Sequence, residues 1–344
     1  LYPEVAMSTG ATKAFNATIK SVADGWKKYP TGMKAAAALM LYRSGRRIEA
    51  GNVLNSLREF ATYAPKSGMW WDSLDSSSIF GLSATGQTAF ILEAFNTIDP
   101  GCKEIDQIRQ WLILNKVVQD WGTSVNASAC VASILQCGSN WLYKPGNVEI
   151  AVGGSPIKPT DTDTLTGAFH TVVENPSGDL TILRTNEGPA WGAVMTRSTQ
   201  VMTDIKAHSI SDLSIQKQML SNVDGKWVDV TTMSVGQTVK VRLIIDSARD
   251  MDYVTIVDNR AAMMEPVVQT PRPVYCDGII FYLENRDAAT NLFISHLPKG
   301  QYIVEYEMYV NNAGSYSSGV ATIQSQYTPE MTAHSSGALL RVVR

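Results

Sequence analysis

The stretch that decides the fold is residues 237–266, which reads QTVKVRLIIDSARDMDYVTIVDNRAAMMEP. In its first part the apolar residues Val239, Val241, Leu243 and Ile245 alternate with mostly polar neighbours. This period of two is typical of a strand with one buried face. A polar turn follows at 247–252, and a second run of strand-forming residues ends before Asp258. The stretch therefore predicts two linked strands of an all-β region.

The same residues resemble the last β-sandwich domain of the bacterial alpha-2-macroglobulin family. The resemblance begins with the pattern R-D-x-D-Y-V at 249–254 and continues with D-x-R-x-A-x-x-E-P at 258–266. Three later segments, at 298–306, 312–316 and 327–335, follow the family's patterns in the same order. Their order and spacing, more than any single motif, indicate the family.

The residues before about 140 have a helical pattern. Their apolar stripes are Phe15/Ile19/Val22/Trp26, Val53/Leu54/Leu57/Phe60/Ala61, Phe90/Ile91/Ala94/Phe95/Ile98 and Ile105/Ile108/Leu112. Asp99-Pro100-Gly101 is a helix stop signal. Residues 88–95 also align with residues 128–135 at an offset of 40. A period near 40 in helical sequence predicts stacked helix pairs.

From about residue 141 the period changes to two, which predicts antiparallel β-structure. The inward-facing sets are predicted to be Leu180/Ile182, Trp191/Ala193/Met195, Leu213/Ile215, Val304/Tyr306/Met308/Val310 and Leu340/Val342. We divide the chain into a helical domain at 1–140, a small β module at 141–208 and a β-sandwich at 209–344. The resemblance implies that these are the later half of an α/α-toroid of the thioester-bearing kind, the remainder of a CUB-like module and the final macroglobulin-like domain.

Composition excludes some classes of function. Lys and Arg number 29 and Asp and Glu 32, for a net charge of −3, and the sequence contains no basic cluster of the kind that nucleic-acid binding requires. No apolar run approaches the ~18 residues of a membrane span. The chain begins with Leu1 and has no leader pattern, so we expect it to be cut from a longer protein whose secretion signal lies upstream. The resemblance implies a periplasmic or cell-envelope location, with the parent protein as a candidate lipoprotein.

A thioester is the chemistry to look for in this family, whose motif is Gly-Cys-x-Glu-Gln. Here Gly101-Cys102-Lys103-Glu104-Ile105 is a near miss, because Ile105 has no acyl group to donate to Cys102. The sequence therefore predicts a chain without a thioester. The four cysteines are too few for a disulfide scaffold, and we expect all of them to be small buried thiols.

Other polar residues indicate neither catalysis nor a metal or cofactor site. The four histidines are far apart in sequence, and a triad or metal site would need the fold to bring them together: His170, His208, His296 and His334. Trp70-Trp71 could be a carbohydrate platform, but helix packing is the simpler interpretation. Five aspartates lack EF-hand spacing and are interpreted as turn residues: Asp161, Asp163, Asp250, Asp252 and Asp258.

Two classes of function remain. In the first, the chain is a non-catalytic segment of a macroglobulin-like protease inhibitor, in which a proteinase cuts a bait segment and is then trapped. Its partners would be proteinases and the other macroglobulin-like domains of the parent. In the second, it is a carbohydrate-active enzyme or carbohydrate-binding protein, since some polysaccharide lyases also join a toroid to β-sheet. The absence of His from residues 1–140 argues against the second class.

Overall fold

The computed structural model of the chain consists of two compact units, which are described separately. One unit comprises Leu1–Leu112 with Gly122–Ala193, and the other comprises Ile113–Trp121 with Val194–Arg344. The structure describes residues 9–65, 67–74, 81–118, 121–141, 147–163, 167–185 and 190–344. The three-domain division with boundaries after residues 140 and 208 stays a prediction.

Six α-helices lie in the described part of the chain up to residue 141. They are α1 (Thr9–Gly25), α2 (Thr31–Arg43), α3 (Arg47–Glu59), α4 (Ala84–Ile98), α5 (Lys103–Val118) and α6 (Ser124–Gln136). The stop signal after α4 acts as predicted, and Gly101 there adopts a φ of 91°, which favours glycine. The side chain of Thr123 caps α6 by accepting the Asn126 N–H at 3.3 Å. None of these helices combines the length and the apolar character that a membrane span requires.

The helices pack through small residues. α2 contributes the buried run Ala35, Ala36, Ala37 and Ala38, which lets α3 and α4 approach it closely. The two copies of the predicted repeat lie on α4 and α6, which contact each other, and the Ser133 hydroxyl donates to the Ala89 carbonyl at 3.0 Å. The repeat in the sequence therefore corresponds to neighbouring helices.

Phe60 was predicted to belong to the apolar stripe of α3, and this was wrong. The helix ends at Glu59, so Phe60 leaves the periodic face, and 65% of the residue is exposed. Its ring instead lies 5.0 Å from the Lys34 ammonium, a cation–π contact.

Short strands make up the first part of the β region. They are β1 (Thr62–Ala64), β2 (Gly68–Trp70), β3 (Val148–Val152), β4 (Ser155–Pro156), β5 (Asp161–Thr162), β6 (Phe169–His170) and β7 (Leu180–Arg184). β1 pairs with β2, β5 pairs with β6, and a three-stranded sheet has the order β4-β3-β7.

The inward-facing residues predicted for this part were wrong. Leu180 and Ile182 on β7 are 44% and 54% exposed, and residues 191–195 form no strand, with Trp191 61% and Met195 68% exposed. An alternating pattern leads to burial only where a second layer covers the sheet. All five residues of β7 are exposed, so its alternation does not mark a buried face.

The second unit is an antiparallel β-sandwich. Its strands are β8 (Leu213–Val223), β9 (Lys226–Asp229), β10 (Thr232–Ser234), β11 (Thr238–Ser247), β12 (Met251–Asn259), β13 (Met264–Pro266), β14 (Arg272–Cys276), β15 (Ile279–Asn285), β16 (Ala289–Leu297), β17 (Gly300–Val310), β18 (Gly314–Ser317), β19 (Ala321–Ser325), β20 (Thr332–His334) and β21 (Leu339–Val343). One sheet has the order β13-β17-β11-β8-β9 and the other β14-β15-β16-β12-β19-β20. A small third sheet, β10-β21-β18, contains the parallel pair β10 and β21. The predicted fold class, helices followed by antiparallel β-sandwich structure, is confirmed.

The two strands of the deciding stretch lie in different sheets. β11 is central in the five-stranded sheet and β12 is internal in the six-stranded sheet, so the polar turn between them carries the chain across the sandwich. The predicted inward residues of β11 are buried, as are Val254 and Ile256 on β12. In the register of β11 with β17, Val241 pairs with Tyr306 and Leu243 with Val304. The predicted inward faces of both strands therefore meet the same core.

Candidate functional site

Cys102, the near-miss thioester residue, lies in the short connection between α4 and α5. Its backbone N–H donates to the Asp99 carbonyl at 3.3 Å. Burial raises the pKa of the thiol, and a hydrogen bond with Glu104 and the charge of that carboxylate raise it further. Because the thiolate is the nucleophilic form, this environment works against an activated cysteine.

Ile105 occupies the position where a thioester would need glutamine. Its side chain is 2% exposed and belongs to the buried face of α5, together with Ile108. Position 105 therefore serves helix packing. The raised pKa of Cys102 and the burial of Ile105 agree with the absence of a thioester at Cys102. That absence stays a prediction.

The remaining cysteines divide into two kinds. Cys130 on α6 and Cys137, directly after it, are buried, and burial raises their pKa values to about 12 and about 11. Cys102 and Cys276 are half-buried, so the expectation that all four thiols are buried was wrong for these two. All four are free thiols in the structure.

A buried polar cluster lies inside the sandwich and joins its two main sheets. It consists of Lys217 on β8, Asp258 on β12 and Tyr306 on β17, and we call it the Lys–Asp–Tyr cluster. The Lys217 Nζ lies 2.6 Å from Asp258 Oδ1, with the two side chains 3% and 2% exposed. The Tyr306 hydroxyl donates to the other carboxylate oxygen, Oδ2. The carboxylate of the six-stranded sheet thus meets a cation and a hydroxyl from the five-stranded sheet.

The polar atoms of this cluster find their partners within the protein. An ammonium group has three N–H donors, and Lys217 Nζ also donates to the carbonyls of Asn259 at 2.8 Å and Ser318 at 2.7 Å. The ion pair with Asp258 and these two hydrogen bonds therefore all lie within the protein. Burial, followed by the charge of Asp258, raises the pKa of Tyr306 well above its ordinary value, which keeps the hydroxyl protonated as a donor. The cluster holds the sheets together.

Asp258 was interpreted from the sequence as a turn residue, and this was wrong. It lies on β12, where a cation from another sheet compensates the cost of burying its charge. Asp252 also lies on β12 and Asp161 on β5, so those two were misplaced as well. Asp250 does lie in the turn before β12, where its carboxylate accepts the Lys299 backbone N–H at 2.6 Å.

The fold brings together two of the four histidines. His208 and His334 exchange backbone hydrogen bonds of 2.9 and 2.8 Å, and their ring centres lie 5.7 Å apart. His296 instead pairs with Asp252 at 2.7 Å, and His170 lies in the other unit on β6. The sequence carried no signal for the pair, because the two positions are far apart along the chain. Within the described residues, no group of three or more His, Cys, Asp and Glu could hold a metal ion.

Trp71 packs inside the helical unit. It is 2% exposed, its ring centre lies 6.3 Å from that of Phe95, and its indole N–H donates to the Leu57 carbonyl at 2.8 Å. A ring buried in this way offers no platform to a sugar, so the structure supports the packing interpretation of Trp71.

The outer face of the six-stranded sheet is rich in exposed aromatic side chains, which sequence reasoning missed. They are Tyr253, Tyr275, Tyr282 and Phe293 on its strands and Tyr327 in the connection between β19 and β20, and they are between 41% and 74% exposed. Tyr282 and Phe293 form a cross-strand pair, and Tyr253 contacts Tyr327 edge-on with ring centres 5.4 Å apart. Residues 279–283 are apolar at every position, which could have indicated a strand with both faces apolar.

The second unit is thus an antiparallel β-sandwich whose two main sheets are joined by the Lys–Asp–Tyr cluster. The family model of the bacterial alpha-2-macroglobulin MG10 domain matches residues 213–330 of this sandwich. This match agrees with the motifs at 249–266, which resemble the same family. No curated protein matches the chain.

Solved structures similar to the chain include bacterial alpha-2-macroglobulins. The trypsin-activated protein from Escherichia coli is 12% identical, with a TM-score of 0.41, and the match covers 96% of this chain and 22% of that one. The Escherichia coli protein activated by porcine elastase is 14% identical, with a TM-score of 0.40 and coverage of 99% and 34%. The Salmonella protein reacted with methylamine is 14% identical, with a TM-score of 0.35 and coverage of 95% and 21%. The chain thus spans between about a fifth and a third of the length of these three structures.

Proposed function

We propose that this chain is the non-catalytic C-terminal segment of a bacterial macroglobulin-like protease inhibitor, which traps proteinases after they cleave a bait segment elsewhere in the parent. The observation that carries the proposal is the MG10 match over residues 213–330. In this function the segment works through its surfaces and through the rigidity of its sandwich.

The chemistry of the described residues supports a non-catalytic role. The Lys–Asp–Tyr cluster is buried, and the Lys217 ammonium makes its ion pair and its hydrogen bonds with atoms of the protein itself. The thiol of Cys102 has a raised pKa and no acyl partner at position 105. The chain therefore contributes structure to the inhibitor and no covalent step.

The partners of the segment follow from the same proposal. They are the other macroglobulin-like domains of the parent and, for the whole inhibitor, the proteinases it traps. The parent resides in the periplasm or cell envelope, where it meets foreign proteinases, and a lipid anchor upstream of this segment would hold it there.

The alternative, a carbohydrate-active enzyme or carbohydrate-binding protein, has less support. A lyase cleft in the helical half would need histidine, and residues 1–140 contain none. The tryptophan that could have formed a sugar platform, Trp71, is buried.

The test uses the parent protein that contains this chain. After incubation with trypsin, the parent is expected to be cut at a bait segment and to retain the proteinase in a complex that separates from free trypsin on gel filtration. Trapped trypsin should still cleave a small peptide substrate and should no longer cleave a large protein. A parent that is cut by trypsin and releases it fully active on large proteins would contradict the proposal.

The isolated chain provides a second measurement. It is expected to turn over neither peptide nor polysaccharide substrates. Turnover that disappears when one histidine or aspartate is replaced would favour the enzyme alternative.

A further inference from the structure

Among the residues that the structure describes, His208 and His334 are the one pair of histidines from separate segments whose rings lie close together. β20 is the edge strand of the six-stranded sheet, and His208 pairs with its last residue from the segment that precedes β8. The mutual backbone hydrogen bonds place the two Cα atoms directly opposite each other. The two side chains therefore start from fixed neighbouring positions on one surface, with ring planes inclined by 30°.

The ring separation is suited to one shared ion. Metal–nitrogen bonds to histidine are about 2.0–2.1 Å, so each ring centre lies roughly 3 Å from a bound ion and two rings up to about 6 Å apart can share it. The observed separation of 5.7 Å falls within that reach.

His334 also makes a hydrogen bond of the kind that metal-ligating histidines make. Its Nδ1 lies 3.1 Å from the Ser335 carbonyl oxygen. A carbonyl can only accept, so Nδ1 carries the proton and Nε2 keeps the lone pair. Histidine ligands typically donate their second ring nitrogen to such a carbonyl, which fixes the ring and the tautomer.

We propose that His208 and His334 form a two-histidine binding site for a divalent late transition-metal ion, with Cu²⁺ as the preferred ion and water in the remaining positions. Imidazole nitrogen suits copper, nickel and zinc, and among these ions copper binds most tightly to a given set of nitrogen ligands. The bound ion adds a second link between the segment before β8 and β20, which the two backbone hydrogen bonds already join. This site goes beyond the inhibitor function and does not depend on it.

The test is a titration of the full chain, free of any histidine tag, with Cu²⁺ at about pH 7.5, where imidazole is neutral. Electron paramagnetic resonance should show one copper ion with hyperfine structure from two equatorial nitrogens. His208→Gln and His334→Gln should each weaken binding by at least about tenfold, since even the loss of outer-shell partners costs 10–100-fold. His208 is exposed, so His208→Gln should keep the parent's melting temperature in the absence of metal.

The matched control is His170→Gln, which removes an exposed histidine of the other unit. It should bind copper as the parent does. Saturating Cu²⁺ should raise the melting temperature of the parent and of His170→Gln and leave that of His208→Gln unchanged, because an ion bound only to the folded state stabilises it. Unchanged copper affinity in both His208→Gln and His334→Gln, or a signal from a single nitrogen in the parent, would overturn the proposal.

Discussion

At the scale of single residues, we expect substitutions in the Lys–Asp–Tyr cluster to change the free energy of unfolding strongly. Removing one partner of a buried ion pair leaves the other charge uncompensated and costs about 3–5 kcal/mol. Asp258→Asn keeps the shape of the side chain and removes its charge, so Lys217 remains buried without its counterion. We expect Asp258→Asn to lower the free energy of unfolding of the sandwich by about this amount, measured by urea denaturation.

Two companion variants sharpen that measurement. Glu265→Gln removes an exposed acid of the same sandwich and should change stability by less than about 0.5 kcal/mol. The double variant Lys217→Met with Asp258→Leu removes both charges and should be less destabilised than Asp258→Asn, because apolar replacement of a buried pair is often neutral. An Asp258→Asn protein as stable as the parent would show that the Lys217–Asp258 ion pair does not contribute to the stability of the sandwich.

The cysteines allow a direct test of the thioester prediction. Unfolded chain should contain four reactive thiols, and treatment of the folded chain with methylamine should release none, because Ile105 offers no acyl group. In the folded chain at about pH 8, Cys130 and Cys137 should react slowly with a thiol reagent, since burial raises their pKa values to about 12 and about 11. Cys276, which is half-buried, serves as the faster internal comparison. A thiol that appears only after methylamine treatment would establish a thioester.

At the scale of elements, the register of β17 decides which face of the sandwich is inside. Tyr306 pairs with Val241 and points toward the cluster, whereas its neighbour Glu307 is exposed. Tyr306→Ala should cost about 3–5 kcal/mol, as truncation of large core residues does, and Glu307→Ala no more than about 0.5 kcal/mol. Chemical denaturation of both variants measures the difference.

A register shifted by one residue would reverse this result. Glu307→Ala would then fail to fold and Tyr306→Ala would be tolerated, because a slip of one residue moves every side chain to the opposite face.

The other face of the β11–β17 pair carries a charged group whose stabilising effect depends on pH. Burial by itself raises the pKa of Glu305, but hydrogen bonds and charges from Arg242 at 2.6 Å and Lys240 at 3.4 Å outweigh burial and lower it. A carboxyl group with a lowered folded-state pKa stabilises the fold above its unfolded pKa, and this stabilisation is lost as pH falls through the folded-state value. Glu305→Gln should therefore flatten the acid side of the stability–pH curve measured by thermal melting. Glu307→Gln, the exposed neighbour, should keep the parent's curve, and equal flattening in both variants would contradict the assignment.

At the scale of the whole molecule, the two compact units have separate cores. The sandwich core is built from strands β8 to β21, and a separate cluster of buried residues joins α1, α2 and α3. Asp258→Asn should therefore accelerate hydrogen exchange in peptides from β11 and β17 and leave α2 and α4 protected as in the parent. Hydrogen exchange followed by mass spectrometry measures both sets at once. Equal loss of protection in the helices would mean that the two units unfold together.

The sequence alone determined what depends on local periodicity and on turn chemistry. The stripes of α4 and α5, the stop at residues 99–101 and the alternation of β11 appear in the structure as predicted. These patterns are readable because neighbouring residues on one face share the same burial. The motifs at 249–266 also indicated the family whose MG10 model matches residues 213–330.

The tertiary structure alone decided which distant residues meet and which alternating faces are covered. Leu180 and Ile182 alternate like core residues yet are exposed, since burial depends on a second layer that periodicity does not reveal. Asp258 is of a residue type common in turns, and only the packing of the other sheet, which brings Lys217 to it, explains its burial. His208 and His334 meet for the same reason: pairing between strands is set by the folded topology, which joins positions that no local pattern connects.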